Sequence, residues 1–298
     1  MRFIFFIKTK LFKLNTQLLY TDDGSEIIMI TKHGTIDIYA TQETLEYIAK
    51  NVKRAIVYVE GEYGGATSVA IKSILGHDTK PVGHIATHLI SNIVFNQTQE
   101  YDSFGWALYI HDSTLIMNIN EYPSTPIYPL EEARATWLYA YPPVRDFMTW
   151  IHSNGINDIT YLTTTSIHEL VDSNYFRKRP QSFIQVVDFT KDDFSEIKDE
   201  NHLFMNPPTW IFLEIAKRLE FDSAKGVFVG FDSDEKINEG GAEAIANYLY
   251  DSFGWVYTDE NMGKAVKVLK EQIQAGEDMR AEIEALMNTK PANNTMWG

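Results

Sequence analysis

Hydrophobic and polar positions along the chain change period several times, and each change marks an element. "IIMITKHGTIDIYA" holds two β-rich runs around Lys32, His33 and Gly34, the pattern of a hairpin. Thr41 then supplies a polar cap for "TQETLEYIAKNV", an amphipathic helix. "RAIVYVEG" is almost continuously apolar, as strands buried on both faces of a sheet are. It breaks at Gly61, Gly64 and Gly65 and passes into "ATSVAIKSILG", helical in period and closed by Gly76. "PVGHIATHLI", "WALYIHD" and "TLIMNINE" read as further strands, and Pro129 sits in the first turn of a long helix through "LEEARATWLYAYPPVRDFMTWIHSNG". Pro142 and Pro143 predict a break or kink there, because proline lacks the N–H donor and clashes with the preceding turn. "DITYLTTT", "FIQVVDFT" and "GVFVGFD" add three strands, with "PPTWIFLEIAKRLEF" as the helix before the last and "KINEGGAEAIANYLYD" following it.

Strands alternating with helices predict an α/β fold, a mostly parallel sheet with helices on both faces. The predicted division is an N-terminal extension over 1–24, an α/β domain over 25–258, a C-terminal helical arm over 259–288 and a flexible tail over 289–298. In the arm, Val266, Leu269, Ile273, Gly276, Met279, Ile283 and Leu286 step by three or four, a narrow stripe near a coiled-coil seam. A last helix docked on its own domain fits that stripe, and so does a helix packed against another subunit or in a helical hairpin.

Charge changes the picture most. Twenty-six basic residues against forty-one acidic ones leave a net charge of −15, which repels phosphate backbones and anionic headgroups, so neither nucleic acid nor a membrane surface is an expected partner. The absence of cysteine excludes disulfides, thiolate metal sites and cysteine nucleophiles, and makes a cytoplasmic location the natural expectation. The opening "MRFIFFIKTKLFKLN" pairs basic residues with a five-residue apolar run, short for a signal-peptide core of ~7–15 residues. It reads as an added edge strand or an overextended start, with a weak anchor or signal as the alternative.

Candidate chemistry is sparse. The turn Gly61-Glu62-Tyr63-Gly64-Gly65 lies where doubly wound folds bind phosphates, but it does not match G-x-G-x-x-G, and Glu60 and Glu62 would repel a pyrophosphate. It is either a tight turn with no ligand or a small-molecule pocket. "NMGKAV" lacks the first glycine of a P-loop. His84 and His88, with His111 beyond, lie in β-branched surroundings where strand residues four apart stand roughly 13 Å apart, so no metal is expected there. Thr163 to Ser166 follow a strand at the end where α/β folds bind ligands, and a helix cap at Ser166 explains them equally. The hexapeptide "YDSFGW" occurs twice, from Tyr101 and from Tyr250, with no surrounding period.

The order of "RAIVYVEGEYGGATSVAIKSILG", "PVGHIATHL", a strand, "EEARATWLYAY…WIHSNGINDITYLTTT" and an acidic helical arm resembles the PAC2 family, named for proteasome assembly chaperone 2, over roughly residues 50 to 290. The resemblance implies an α/β fold similar to phosphorylase/hydrolase-like domains, with no established catalytic activity and no cofactor. It further implies a homo-oligomer whose C-termini engage proteasome α-subunits. Members that bind proteasomes often end in hydrophobic, tyrosine, any residue; Met296, Trp297 and Gly298 are similar, with an indole N–H in place of the phenol. The glycine turn departs from the family through Glu60, Glu62 and adjacent Gly64 and Gly65.

Two readings result. The first is a non-catalytic PAC2-like assembly chaperone or adaptor that binds proteasome α-subunits through Met296, Trp297 and Gly298. The alternative is a phosphorylase- or hydrolase-like enzyme or small-ligand binder using the turn at Gly61, Gly64 and Gly65, the segment Thr163 to Ser166, and Asp232.

Overall fold

A computed structural model of the chain describes residues 16–20, 27–59, 63–87, 106–119, 129–166, 184–190, 207–231 and 237–289. In chain order the elements are β1 (Thr16–Tyr20), β2 (Ile27–His33), β3 (Ile36–Thr41), α1 (Gln42–Asn51), β4 (Arg54–Val59), a 3-10 turn (Tyr63–Gly65), α2 (Ala66–Leu75), β5 (Gly83–Thr87), β6 (Trp106–His111) and β7 (Thr114–Ile119). They continue with α3 (Pro129–Ser153), β8 (Asp158–Ser166), β9 (Ile184–Asp188), α4 (Pro207–Arg218), β10 (Ser223–Phe231), α5 (Glu239–Phe253) and α6 (Asp259–Thr289). β1 falls in the stretch the sequence assigns to an N-terminal extension, and pairs antiparallel with β2. The opening residues 1–15 lie outside the described part.

All ten strands form one sheet, ordered β1-β2-β3-β5-β6-β7-β4-β8-β10-β9. The expected mostly parallel sheet is corrected here: the sheet is mixed. Only β7-β4-β8-β10 run parallel to one another. The wing from β1 to β6 is antiparallel, as are the joint between β6 and β7 and the edge between β10 and β9. The physical reason lies in the connections. β2 and β3 are joined through Gly34 at φ +61, and β6 and β7 through Asp112 at φ +51, turns too short to carry a crossover helix.

Strand β4 shows why the middle of the sheet reads as a solid apolar run. Ala55, Val57 and Val59 point into one core with Trp106, Met117, Phe147 and Phe212, whereas Ile56 and Tyr58 point into a second core with Val69, Ile116, Leu162 and Ile245. A strand alternates its side chains, so burial on both faces removes the polar half of the pattern. Helices α3 and α4 cover the first face; α2, α5 and α6 build the second. The expected break at Pro142 and Pro143 does not occur, and α3 runs through both prolines from Pro129 to Ser153. Two backbone hydrogen bonds are forgone, but Val144, Phe147, Met148 and Ile151 are fully buried beyond the prolines, and that packing holds the last turns on the sheet.

The β2–β3 hairpin is tied to α3 by a buried carboxylate. Asp146 Oδ2 accepts from Thr35 N at 2.6 Å and Thr35 Oγ1 at 2.8 Å, while Oδ1 accepts from Arg145 Nη2 at 2.8 Å. A Cβ on Gly34 would lie 2.2 Å from Asp146 Oδ2, so the glycine is required by space as well as by its positive φ. Burial alone would raise the Asp146 carboxyl, but the Thr35 and Arg145 hydrogen bonds and the Arg145 charge outweigh it and hold the group below its ordinary value of 3.8. A lowered folded value stabilises the fold above the unfolded value, and that share is lost as pH falls through the folded value. Asp146→Asn is therefore expected to cost about 1.5–3 kcal/mol of stability at pH 7 and to lose part of the acid-limb dependence below pH 3.8, read by urea melts above and below that pH.

Candidate functional site

The chain leaves β4 through α2 on one face of the sheet and leaves β7 through α3 on the other. The C-terminal ends of these neighbouring parallel strands thus diverge, which is where an open α/β sheet forms its crevice. The glycine turn stands at this point. Gly64 (φ 68, ψ 3) and Gly65 (φ 60, ψ 19) are both left-handed, a conformation that costs most side chains about 1–2 kcal/mol. Gly65 caps α2 without a side-chain hydrogen bond.

The chain itself fills this corner. A Cβ on Gly65 would lie 2.4 Å from Leu269 Cδ2, so the α6 leucine occupies the volume a residue 65 side chain would take. Gly64 O accepts from Asn238 N at 3.0 Å. Asn238 is 3% exposed, donates through Nδ2 to Gly230 O at 2.7 Å and accepts through Oδ1 from Gly241 N at 2.8 Å. One residue therefore joins three elements: its side-chain amide binds the end of β10 and the first turn of α5, and its backbone N–H binds the glycine turn. The sequence reading did not single out Asn238; its signal was an N-cap asparagine ahead of "EGGAEAIANYL". Behind the turn, Thr67 and Ser68 are buried in the first turn of α2, and Thr67 Oγ1 donates to Val59 O at 3.3 Å.

Helix α6 lies across the same corner and extends beyond it. Ala265 and Val266 are buried, and Met262 and Leu269 pack against the second core. The first two positions of the stripe, Val266 and Leu269, are thus docked on their own domain. After Lys270 the exposed residues include Gln272, Gln274, Ala275, Glu277, Asp278 and Ala281. The helix continues to Thr289, so Asn288 is helical, and its 31 residues span about 46 Å.

The other candidates are scattered. Gly61, Glu60, Glu62, His88, Asp232 and the tail residues Met296, Trp297 and Gly298 lie outside the described residues. His84 sits on β5, paired across the sheet with Tyr39 and Ala107, while His111 ends β6 with its ring edge-on to Trp255 at 4.8 Å. Among the described residues, no group of three or more His, Cys, Asp or Glu could hold a metal ion. Thr163 and Thr164 are buried within β8, and Ser166 ends that strand, paired with Phe231; the residues that a cap at Ser166 would serve lie outside the described part. Asn261 to Val266 lie inside α6. In the second "YDSFGW", Gly254 (φ 73) ends α5 and Trp255 enters the second core; Trp106, the end of the first copy, is buried in the other core, and Tyr101 to Gly105 lie outside the described residues. At the opposite end of the parallel strands, burial raises the Tyr248 hydroxyl above its ordinary value, helped by the carboxylates of Asp158 and Asp188. Among the described residues no helix is long and apolar enough to cross a membrane.

No protein-family model matches the chain, and no curated protein matches it in sequence. Solved structures do share its fold. One is a Thermoplasma acidophilum protein of unknown function, with a TM-score of 0.52 at 14% identity over 83% of this chain and 95% of that one. PbaA of Pyrococcus furiosus, described as an archaeal homolog of proteasome-assembly chaperone, gives 0.53 at 11% identity over 84% of this chain and 99% of its own. PbaB of the same organism, described as an archaeal proteasome activator, gives 0.51 at 11% identity over 85% and 100%. At such identities the likeness is one of fold, and at that level the resemblance to PAC2-type chaperone homologues read from the sequence holds.

Proposed function

We propose that this chain is a non-catalytic adaptor or assembly chaperone for the proteasome, acting as a homo-oligomer that docks on α-subunits through Met296, Trp297 and Gly298. The observation that carries the reading is the fold shared across nearly the whole length of PbaA and PbaB, whose descriptions name proteasome assembly and activation. The filled corner supports it as well. Leu269 and Asn238 occupy the described part of the crevice that the enzymatic alternative would need for a substrate.

Helix α6 supports the mode of binding. It runs on from its docked first turns to Thr289, nine residues before Gly298, so the terminal residues follow a long helix. A methionine and an indole entering an apolar pocket supply about 1.5–3 kcal/mol each, and a terminal carboxylate adds a charge-assisted contact to a lysine. Ordering the tail subtracts from this, so a single tail binds weakly and several on one oligomer gain ~10²–10⁴ in avidity.

The test is light scattering of the pure protein, then capture of proteasome α-rings from the same cell. An oligomer that retains α-rings is expected. A monomer that retains none refutes the proposal.

A further inference from the structure

Three observations meet at the middle of α6. Leu269 fills the notch left by Gly65, where a Cβ would lie 2.4 Å from its Cδ2. Lys270 Nζ reaches Glu239 Oε1 on α5 at 3.0 Å. Gly64 O holds Asn238 N at 3.0 Å, so the notch is itself bound to the start of α5. Before this point Met262, Ala265 and Val266 pack on the second core; after it Gln272, Gln274, Ala275 and Ala281 are exposed among the described residues. The ion pair joins two exposed side chains, and such pairs contribute little, so at this point of the helix the leucine in its notch is the stronger of the two contacts.

We infer that Leu269 and Gly65 form a knob-and-notch joint that sets the direction in which α6 carries the C-terminal residues, making Leu269 a positioning residue for partner capture. The inference rests on the proposed docking through the tail. Twenty residues separate Leu269 from Thr289, a lever of about 30 Å, so a swing of about 20° at the joint moves the far end by about 10 Å. Multivalent capture depends on tails arriving at the spacing of their pockets, and avidity is lost when geometry forbids simultaneous engagement. Glycine at 65 serves the joint twice: it adopts the left-handed turn, and it leaves the volume the knob needs.

Because the chain has no cysteine, Lys53→Cys with Ala281→Cys places two spin labels at exposed positions, one on the domain and one on the arm. Pulsed dipolar distances are measured on the full-length protein diluted with unlabelled chains, beside capture of α-rings, in the Leu269, Leu269→Met, Leu269→Ala and Gly65→Ala backgrounds. A single narrow distance is expected with leucine or methionine. A broadened or shifted distribution is expected in Leu269→Ala and in Gly65→Ala, which fills the notch from the other side, with capture reduced about tenfold or more. Should one of these fail to melt cooperatively, the other carries the test. An unchanged distribution overturns the joint, and a broadened distribution with undiminished capture overturns its positioning role. Should the leucine protein capture no α-rings, the tail reading falls, while the distances still decide whether the joint exists.

Discussion

Deleting Met296 to Gly298 is expected to abolish capture of proteasome α-rings, a loss of ~100-fold or more in apparent affinity, with the thermal melt and the oligomeric state unchanged. The expectation follows from where the binding free energy resides. A methionine and an indole contribute about 1.5–3 kcal/mol each on burial, and the resemblance implies no second docking feature on the chain, whose net charge is −15. Appending two serines after Gly298 should act almost as strongly, because it moves the carboxylate away from its cationic partner while keeping both apolar anchors. Trp297→Tyr restores the residue common in proteasome-binding tails and should retain or improve capture. Trp297→Ala should behave like the deletion. Capture that survives both the deletion and the extension would place the interface on the domain and reject the tail.

The second large effect is expected at Asn238. Its amide donates to Gly230 O and accepts from Gly241 N, and its backbone N–H donates to Gly64 O. Asn238→Asp keeps the acceptor for Gly241 but sets a carboxylate oxygen against Gly230 O in a site that is 3% exposed. The cost should be about 2–4 kcal/mol at pH 7, since a lost buried hydrogen bond is joined by repulsion and by desolvation of a charge. The variant carboxyl has its folded value raised, so lowering the pH protonates it, allows it to donate to Gly230 O and recovers part of the loss. Urea midpoints at pH 7 and pH 5 measure both parts. A variant as stable as the parent at pH 7 would show that the hydrogen bond to Gly230 O contributes nothing to holding β10 against α5. Asn238→Leu removes both polar contacts without adding a charge, and should be destabilised at each pH alike.

Much of the fold was legible because burial imprints a period. β4 and β7 read as apolar runs since both faces are covered, and the Thr41 cap, the Gly76 stop and the Gly34 turn are local signals that each act over a few residues. The sense of the sheet was less legible. Strand direction depends on the path of the chain between strands, and "WALYIHD" followed by "TLIMNINE" carries no period that distinguishes a hairpin from two parallel neighbours. The prolines of α3 misled for a related reason: proline's cost is local, and the packing of Phe147 and Ile151 that outweighs it comes from distant residues.

The candidate site divides along the same line. The sequence by itself determined the alternation of elements, the glycine turn, the stripe along the last helix, the acidic charge and the lack of cysteine chemistry, because each is written in neighbouring residues or in composition. The tertiary structure decided that Leu269 fills the notch at Gly65, that Asn238 ties three elements together, that the stripe docks through Val266 and Leu269, and that the sheet is mixed. The longest of these contacts join residues 174 positions apart, Asn238 with Gly64, and 204 apart, Leu269 with Gly65. Local propensity carries no information over such separations; contact between distant side chains arises only when packing closes the chain on itself.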